Sequence, residues 1–391
     1  MQSAIDQVNR CIQENLTAIR VVKSYVRGDY EVEKFGVVNE NLKSESEKAF
    51  GTAVLNMPAM QFVMYGTILG ILLIGGRLIN EGQMMIGQLT SFLSYVLLIL
   101  NSLMMMSNVF LLMTRSLASA ERIMEVIDEK IDITDENAKD IAVAKGEIEF
   151  DHVWFKYKDT AKEYVLSDVS FHIKPGQTVG IIGQTGSSKT TLVQLIPRLY
   201  DVTKGEVKID GINVKEYPVR HLRDAVAMVL QKNTLFSGSL IDNLRWGNEN
   251  ATLDEIKEAC QIACVDEFVN RLADGYDTEM GQEGVNVSGG QKQRICIARA
   301  ILKKPKVLIL DDSTSAVDTA TEAKIRSGLA EKLPDMTKII IAQRISSVRH
   351  ADQIIIMDRG HVEAIGTHES LLRDNQIYQE IYASQKEGAD L

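Results

Sequence analysis

The sequence predicts two membrane-spanning helices followed by an α/β domain with a phosphate-binding loop. Two long stretches without a charged residue, at 49–76 and 82–114, predict the helices. A short apolar strand at 179–182, followed by a Gly/Ser/Thr-rich loop and an apolar helix start, predicts the α/β domain. A second apolar run, at 307–310, ends in two adjacent aspartates, as strands do where a parallel sheet carries its site.

The lengths of the two uncharged stretches favour a membrane location. They contain 28 and 33 residues, whereas about 20 suffice to cross the hydrocarbon core. Two buried helices of a soluble protein are the alternative, but such lengths are unusual for core helices. Basic residues are common before the first stretch and after the second, and only Arg77 lies between them. By the positive-inside rule, both ends lie in the cytoplasm and the turn at 77–81 lies outside.

Composition excludes some classes of protein. The chain has 391 residues, 45% of them hydrophobic, and a net charge of −10, so we expect more than one domain and no nucleic-acid partner. Residues 1–48 lack the apolar core of a secretory signal. The four cysteines give no disulfide framework. Cys260 and Cys264 lie one helical turn apart, but without two further ligands they are predicted to be core residues.

The regions around the predicted membrane helices and the strands have simpler patterns. Apolar residues recur at helical spacing from Ile5 to Val22, which predicts an amphipathic helix over 1–25 that breaks at Gly28. The charged segment 128–145 is predicted to be a linker. Residues 147–155 and 165–173 alternate as antiparallel strands, and 253–272 have a helical pattern. Thr367 is a candidate N-cap of a closing helix.

The loop after the strand at 179–182 has the composition of a phosphate cradle. Its residues are Gly183, Gln184, Thr185, Gly186, Ser187, Ser188, Lys189, Thr190 and Thr191. Backbone N–H groups of such a loop bind anions, Lys189 reaches the β- and γ-phosphates, and Thr190 ligates Mg²⁺. Ser188 stands where the strict pattern has glycine, so the cradle forms only if this position needs no glycine-only dihedral. Taken alone, this imperfect match could be a simple turn.

A third motif makes the simple-turn reading untenable. Residues 287–294 read Val-Ser-Gly-Gly-Gln-Lys-Gln-Arg and open a helical pattern that continues through Ile295, Ala298 and Ile301. Another helix N-terminus therefore points at an anion.

With these motifs in order, the chain resembles exporter-type ABC transporters, namely the multidrug or lipid half-transporters. The match to their nucleotide-binding domain covers about residues 146–374. The resemblance implies ATP and Mg²⁺ as cofactors. It implies that Tyr157 stacks on adenine, that Gln231 is the Q-loop ligand of Mg²⁺, and that Asp311 is the Walker B aspartate, holding Mg²⁺ through water. It also makes Ser288, Gly289, Gly290 and Gln291 the signature facing a partner's ATP, and Ser315 to Asp318 the D-loop.

Two positions depart from the family pattern. Asp312 stands where most members have a catalytic glutamate, and Gln343 stands where they have the switch histidine. A glutamate would carry its carboxylate one methylene farther, and a general base must come within about 2.6–3.2 Å of the proton it takes. Gln343 can donate a hydrogen bond to a γ-phosphate oxygen but cannot carry a proton. We therefore expect a site that binds ATP and hydrolyses it slowly, with neutral drift in an active ATPase as the alternative.

The N-terminal part extends the resemblance over the whole chain. Residues 13–35 resemble the second intracellular loop of ABC exporters, with a coupling loop at about 22–36. By this resemblance the chain is N-terminally incomplete and begins near the end of the fourth of six membrane helices. The expected organisation is a partial transmembrane domain over 1–127, the linker, and a nucleotide-binding domain over 146–391 with β- and helical subdomains. The expected location is the plasma membrane, multi-pass, with the nucleotide-binding domain in the cytoplasm.

These features predict a subunit of an ABC exporter. Paired departures at Asp312 and Gln343 resemble the degenerate half of a heterodimer, so the expected partner is a sister half-transporter. A homodimeric exporter that hydrolyses ATP at both sites is the alternative, and the membrane hairpin disfavours a soluble ABC ATPase of repair or translation. The many methionines of the membrane part fit a cavity for a small apolar substrate and fit contact with lipid equally well.

Overall fold

The computed structural model describes residues 2–313 and 316–387. The chain forms two compact units, Met1–Lys130 and Ile131–Leu391. The first contains only helices among its described residues: α1 (Gln2–Thr17), α2 (Ile19–Ser24), α3 (Gly28–Asn80) and α4 (Ile86–Ile127). The second combines sheets and helices. The predicted fold class, a helical membrane segment followed by an α/β domain, is confirmed.

The N-terminal helix differs from its prediction at two places. It is interrupted at Ala18, which separates α1 from α2. The chain then turns at residues 25–27, where Val26 has φ 53°. Gly28 is the first residue of α3, so the prediction of a break at Gly28 was wrong. Val26, in the left-handed conformation, makes the turn between α2 and α3. Gly28, which was expected to make it, lies in α3.

Polar side chains connect α1 to α3. The Lys34 ammonium lies 3.0 Å from the Glu14 carboxylate, and Asn15 Nδ2 donates to Glu31 Oε2 over 2.9 Å. The Lys34–Glu14 ion pair is exposed, and such pairs contribute at most about 1 kcal/mol. The Asn15–Glu31 hydrogen bond is partly buried. Together these contacts align the two helices.

Both predicted membrane spans lie within long helices. Pro58–Asn80 and Ile86–Met106 have mean hydropathies of 1.9 and 1.8, and 6% of each is buried. The low burial contradicts the alternative of soluble core helices. The turn was predicted to begin at Arg77, but α3 continues to Asn80. The Glu81 N–H still donates to the Arg77 carbonyl at 3.1 Å, and the Arg77 and Glu81 side chains pair at 3.2 Å on the exposed surface. A Cβ on Gly75 would lie 2.3 Å from Leu89 Cδ1, so glycine lets α3 and α4 approach each other closely.

The second unit is built on strands and short helices. The strands are β1 (Ile148–Phe155), β2 (Leu166–Ile173), β3 (Thr178–Gly183), β4 (Lys204–Ile209), β5 (Ile212–Asn213), β6 (Val226–Val229), β7 (Gly238–Ser239), β8 (Glu279–Met280), β9 (Val307–Asp311), β10 (Thr337–Ile341), β11 (Gln353–Asp358) and β12 (His361–Gly366). The α-helices are α5 (Lys189–Gln194), α6 (Val219–Ala225), α7 (Leu240–Arg245), α8 (Leu253–Ile262), α9 (Asp266–Val269), α10 (Gly289–Leu302), α11 (Thr319–Lys332), α12 (Ile345–Val348), α13 (His368–Asp374) and α14 (Gln376–Glu387).

Four of these strands form an antiparallel sheet in the order β2-β1-β4-β5. The alternating burial of β2 shows that one face of this sheet covers a core. Phe150 and Phe171 stack in that core with ring centroids 4.5 Å apart. Trp154 is half-buried and packs edge-on against Tyr164 at 5.1 Å. The predicted strands 147–155 and 165–173 are thus confirmed.

A six-stranded sheet in the order β12-β11-β3-β10-β9-β6 carries the loops of interest. All of its pairings are parallel except that of β12. Ile341 of β10 is in register with Ile181 of β3 and with Asp311 of β9. The loops that follow β3, β9 and β10 therefore leave the sheet side by side, at its carboxyl edge.

The predicted helical region 253–272 consists of two helices. α8 ends at Ile262, and Cys264 then adopts φ 55° before α9 begins. Cys260 and Cys264 are buried in the core, as expected. In the described parts of the chain, no group of three His, Cys, Asp or Glu residues could hold a metal ion.

Most of the predicted linker is part of the second unit. Of residues 128–145, all from Ile131 onward belong to that unit. Val143 is 7% exposed, and the Asp210 carboxylate accepts the N–H groups of Ala144 and Lys145. Residues 128–145 are all described and contain no helix or strand. The contacts of Val143, Ala144 and Lys145 hold the end of this segment in place.

An aromatic pair borders a groove of about 340 Å³ in the second unit. The rings of Phe236 and Trp246 stack with centroids 4.1 Å apart and planes at 11°. Trp246 is 65% exposed. Beneath them, Arg299 donates hydrogen bonds to Asn243 and to the Thr234 carbonyl, which fixes the floor of the groove.

Candidate nucleotide site

The loop after β3 has the close backbone approaches of a phosphate cradle. A Cβ on Gly183 would lie 2.1 Å from the Met357 carbonyl oxygen, so this position requires glycine. Gly186 has φ 85°, a conformation that glycine adopts without strain. The helix α5 begins at Lys189, so its N-terminal N–H groups border the loop.

Ser188 adopts the left-handed conformation that glycine supplies in the strict motif. Its dihedrals are φ 71° and ψ 22°. The condition set from the sequence, that this position needs no glycine dihedral, is therefore not met. A serine in this region costs about 1–2 kcal/mol relative to a relaxed backbone. The loop keeps its shape, and it stores this strain.

Lys189 folds back over the loop. Its ammonium donates to the carbonyls of Gly183 and Gln184, both at 2.8 Å, and to Ser187 Oγ at 3.2 Å. Burial lowers the pKa of Lys189, and two nearby aspartates act in the opposite direction. The cation thus lies at the loop where phosphate oxygens would bind.

Asp311 ends β9 and is 1% exposed. Its Oδ1 accepts a hydrogen bond from Thr190 Oγ1 over 3.1 Å. Its Oδ2 is buried and has no hydrogen-bond partner in the described part of the chain. Burial raises the pKa of Asp311, and the Thr190 hydroxyl opposes that shift. An orphaned carboxylate oxygen beside a threonine hydroxyl is the kind of donor set that Mg²⁺ prefers, so these residues fit the ion.

The two divergent positions contact each other. Gln343 Nε2 donates to Asp312 Oδ2 over 2.7 Å. Burial raises the pKa of Asp312, while hydrogen bonds from Gln343 and Gln231 lower it. The Asp312 backbone has φ 48°, and its N–H donates to the Ile341 carbonyl at 3.0 Å. Aspartate tolerates this left-handed conformation better than most residues.

A cleft of about 300 Å³ joins these side chains. The lining residues come from the loops after β3, β9 and β10 and from residue 231: Gly183, Thr185, Gly186, Ser188, Lys189, Thr190, Thr191, Gln231, Asp311, Asp312, Ile341 and Gln343. Within the described residues, none of the four signature positions lines this cleft. The structure thus brings most of the predicted phosphate and Mg²⁺ residues together in one cleft. Gln184, Ser187 and Tyr157 are predicted ATP contacts that do not line it, and neither do the signature positions.

Tyr157, the predicted adenine contact, lies next to the loop helix. Its hydroxyl is 2.9 Å from Thr191 Oγ1. Its ring contacts Phe155 and Tyr200 edge-on, with centroid distances of 4.9 and 5.1 Å. Half of the side chain is exposed, so the ring is held from the side and remains accessible to a base.

The predicted signature residues lie at the N-terminus of α10. Ser288 is the N-cap: its N–H donates to Gln291 Oε1 at 2.8 Å, and its Oγ accepts from the Gln291 N–H at 3.3 Å. Ser288 and Gly289 are exposed. A Cβ on Gly290 would lie 2.7 Å from the Ala316 carbonyl oxygen, so glycine allows α10 to approach the segment before α11.

The predicted D-loop residues are only partly described. Ser315 lies outside the described residues. Asp318 is the N-cap of α11, and its Oδ1 accepts the Thr321 N–H over 2.9 Å. This hydrogen bond lowers the pKa of Asp318. Asp318 thus has a local capping role in addition to any contact with a partner.

One residue at the site has no counterpart in the sequence-based analysis. Gln385 of α14 donates to the Gln343 carbonyl at 2.7 Å and accepts the Ile345 N–H at 2.8 Å. It lies 42 residues after Gln343, and no spacing or composition marks it out among the glutamines of that helix.

Comparison with known proteins gives a consistent family. Residues 1–103 match the ABC transporter transmembrane region, and residues 166–315 match the ABC transporter domain. The chain is 42% identical over 392 residues to YfiB of Bacillus subtilis, an uncharacterised ABC transporter ATP-binding protein, with 100% of this chain and 68% of the relative covered. It is 36% identical to YgaD of the same species, a putative multidrug export ATP-binding/permease protein, with 98% of this chain and 66% of the relative covered.

A solved structure agrees with these matches. An ATP-bound bacterial Atm1-family ABC exporter is 28% identical and superimposes with a TM-score of 0.89, covering 98% of this chain and 69% of the exporter chain. The chain thus spans about two thirds of the length of its relatives. With both regions matched in order and the nucleotide motifs gathered at one sheet edge, the chain belongs to the ABC transporter family, as a membrane-embedded exporter subunit with a cytoplasmic ATP-binding domain.

Proposed function

We propose that this chain is one half of a heterodimeric ABC exporter, and that its own cleft holds Mg·ATP while hydrolysing it slowly. The observation that carries the proposal is the 2.7 Å contact between Gln343 Nε2 and Asp312 Oδ2. The residue at the position of the base is aspartate, and the residue at the position of the switch is an amide. The two residues that differ from the family pattern are thus hydrogen-bonded to each other.

The chemistry of this pair is poorly suited to activating water. The Asp312 carboxylate is one methylene shorter than a glutamate and already accepts a hydrogen bond from Gln343. A side-chain amide neither takes up a proton nor becomes a cation. A correctly placed general base contributes about 10²–10⁴-fold to a rate, so the loss of both groups predicts a large decrease in turnover.

Binding of ATP needs neither group. Lys189 supplies a cation at the loop, and Tyr157 supplies an accessible ring. Thr190 and Asp311 would hold Mg²⁺, with Gln231 close by. The ion, when bound, neutralises charge on the β- and γ-phosphates. The cation, the ring and the Mg²⁺ ligands for nucleotide binding are thus retained. Apart from Ser188 in the loop, the departures fall on residues expected to act on the attacking water.

The signature is available for a partner. The N-terminus of α10 carries exposed Ser288 and Gly289 and lies outside the cleft of its own chain. A helix N-terminus stabilises an anion that approaches it. We therefore assign this surface to ATP bound by a sister half-transporter, where it completes the hydrolytic site. The relative YgaD is named as a putative multidrug exporter. By analogy we propose a small, apolar substrate, with which the methionines of α3 and α4 are compatible.

A homodimeric exporter with ordinary hydrolysis is the second candidate. The φ of 48° at Asp312 favours it, because aspartate suits a left-handed backbone and its choice could reflect conformation alone. The two candidates differ in one measurable quantity, the turnover at this cleft.

The first prediction is slow hydrolysis that two substitutions restore. The full chain in detergent should bind Mg·ATP, with Lys189→Ala as the non-binding control, and release phosphate far below about 1 s⁻¹, an ordinary enzymatic rate. Asp312→Glu combined with Gln343→His should raise single-turnover hydrolysis by more than the product of the two single effects, because base and phosphate donor act as a unit. Steady turnover of the unmodified chain near that rate would establish the homodimeric reading instead.

A further inference from the structure

We infer that Gln385, on the C-terminal helix α14, is a positioning residue for the γ-phosphate contact of Gln343. The inference rests on the proposed binding of ATP in the cleft, but not on slow hydrolysis. The Gln385 amide makes two hydrogen bonds to the backbone of residues 343–345, which we call the switch segment. One bond is to residue 343 and the other to residue 345. It therefore fixes the main chain from which the Gln343 side chain extends.

The segment that Gln385 holds lacks a cap of its own. Residue 344 is the N-cap of α12, but its side chain makes no capping hydrogen bond. The N–H of Ile345, the first residue of α12, would otherwise have no acceptor within the helix. Gln385 Oε1 accepts this N–H at 2.8 Å. A side chain from a distant helix thus replaces the local cap.

The helix that carries Gln385 is itself firmly anchored. Tyr378 is fully buried, and its hydroxyl hydrogen-bonds to His368 Nδ1 over 2.8 Å. Burial raises the pKa of Tyr378 to about 12. Ile381 packs against the same core. Tyr378 and Gln385 are seven residues apart, which places them on the same face of the helix. The amide therefore extends from a fixed support.

The other end of this chain of contacts is the cleft. Gln343 Nε2 lies 2.7 Å from Asp312 Oδ2 and borders the space for a γ-phosphate. If the Gln385 side chain is removed, the Gln343 amide is unchanged, but the backbone that carries it is no longer held by these two hydrogen bonds. ADP lacks the γ-phosphate and is expected to contact the loop at Lys189 and not the segment around Gln343. Only ligands with a γ-phosphate should therefore respond.

The test compares AMP-PNP with ADP by titration calorimetry, in the presence of Mg²⁺, on the full chain in detergent. Gln385→Ala should weaken AMP-PNP binding about three- to tenfold, the range of one net hydrogen bond, and change ADP binding by less than twofold. The matched control is Gln379→Ala, because Gln379 lies on the same helix and donates to the carbonyls of Leu372 and Arg373. Both affinities should be unchanged there.

A double-mutant cycle tests whether Gln385 acts through Gln343. In a Gln343→Ala background, Gln385→Ala should have no further effect on AMP-PNP. Equal losses for AMP-PNP and ADP, no loss at all, or a loss that persists in that background would overturn the inference. Should Gln385→Ala fail to fold, Gln385→Glu retains an acceptor for the Ile345 N–H, while it replaces the donor to the Gln343 carbonyl by a negatively charged oxygen. The same comparison of AMP-PNP with ADP applies, with a loss for AMP-PNP of at least the size expected for Gln385→Ala. Because AMP-PNP is not hydrolysed, the result is independent of whether turnover at this cleft is slow.

Discussion

Replacing Ser188 by glycine should stabilise the nucleotide-binding domain. Ser188 has φ 71°, which costs an L-residue about 1–2 kcal/mol. Glycine removes that strain but brings back about 0.5–1 kcal/mol of backbone entropy loss on folding. The net gain for Ser188→Gly is thus about 0–1.5 kcal/mol, with a central value of about 0.75 kcal/mol. For a domain of this size the central value corresponds to an increase of about 1.5–3 °C in the unfolding temperature.

The neighbouring serine provides the control. Ser187 is 3% exposed, lacks a positive φ, and its Oγ accepts a hydrogen bond from Lys189. Ser187→Gly therefore removes a contact and adds backbone entropy without relieving strain, so it should lower the unfolding temperature.

Differential scanning calorimetry of the full chain in detergent measures both variants against the unmodified chain. The reasoning fails if Ser188→Gly leaves the transition unchanged or lowers it. It fails equally if Ser187→Gly gives the same increase, because the effect would then come from glycine in the loop and not from the left-handed conformation.

Two further predictions concern the dimer and pH. In the proposed heterodimer, Ser288→Arg should nearly abolish ATPase activity and Lys189→Ala should leave much of it, because under the proposed function the signature serves the partner's site; equal losses would indicate two equivalent sites. The pKa of Glu255 is lowered to about 2, chiefly by its hydrogen bond from Lys304, so its stabilising contribution is present above about pH 4.5 and is lost as pH falls toward 2. Glu255→Gln should therefore flatten the acid-side decrease in thermal stability, Glu258→Gln should not, and identical pH profiles for all three proteins would contradict this assignment.

The sequence was sufficient for elements whose pattern is local. The buried strand before Asp311 and the helix after Ser288 follow from periodicity, and both are present as β9 and α10. The membrane helices follow from length and lack of charge. The gathering of Lys189 and Asp311 in one cleft follows from the rule that parallel strands share a carboxyl edge.

Backbone conformation and distant contacts were not accessible in this way. Nothing in the letter sequence shows that Ser188 adopts a glycine-type dihedral, or that Val26 rather than Gly28 makes the turn. The bond from Gln343 to Asp312 depends on the register of β10 and β9. Gln385 contacts residue 343 because α14 packs near it. The position of α14 depends on its packing in the tertiary core, which local helix propensity does not predict.

The stacked pair of Phe236 and Trp246 gives the chain an intrinsic fluorescence signal for contacts at the groove. It has two tryptophans, and they lie in different surroundings. Trp154 is half-buried against Tyr164, whereas Trp246 is 65% exposed on the ring of Phe236. Indole emission shifts to shorter wavelength as water is removed from the ring, so the red edge of the spectrum belongs to Trp246. Any segment that covers the groove should therefore shift the tryptophan emission to shorter wavelength, and the measurement needs no added label.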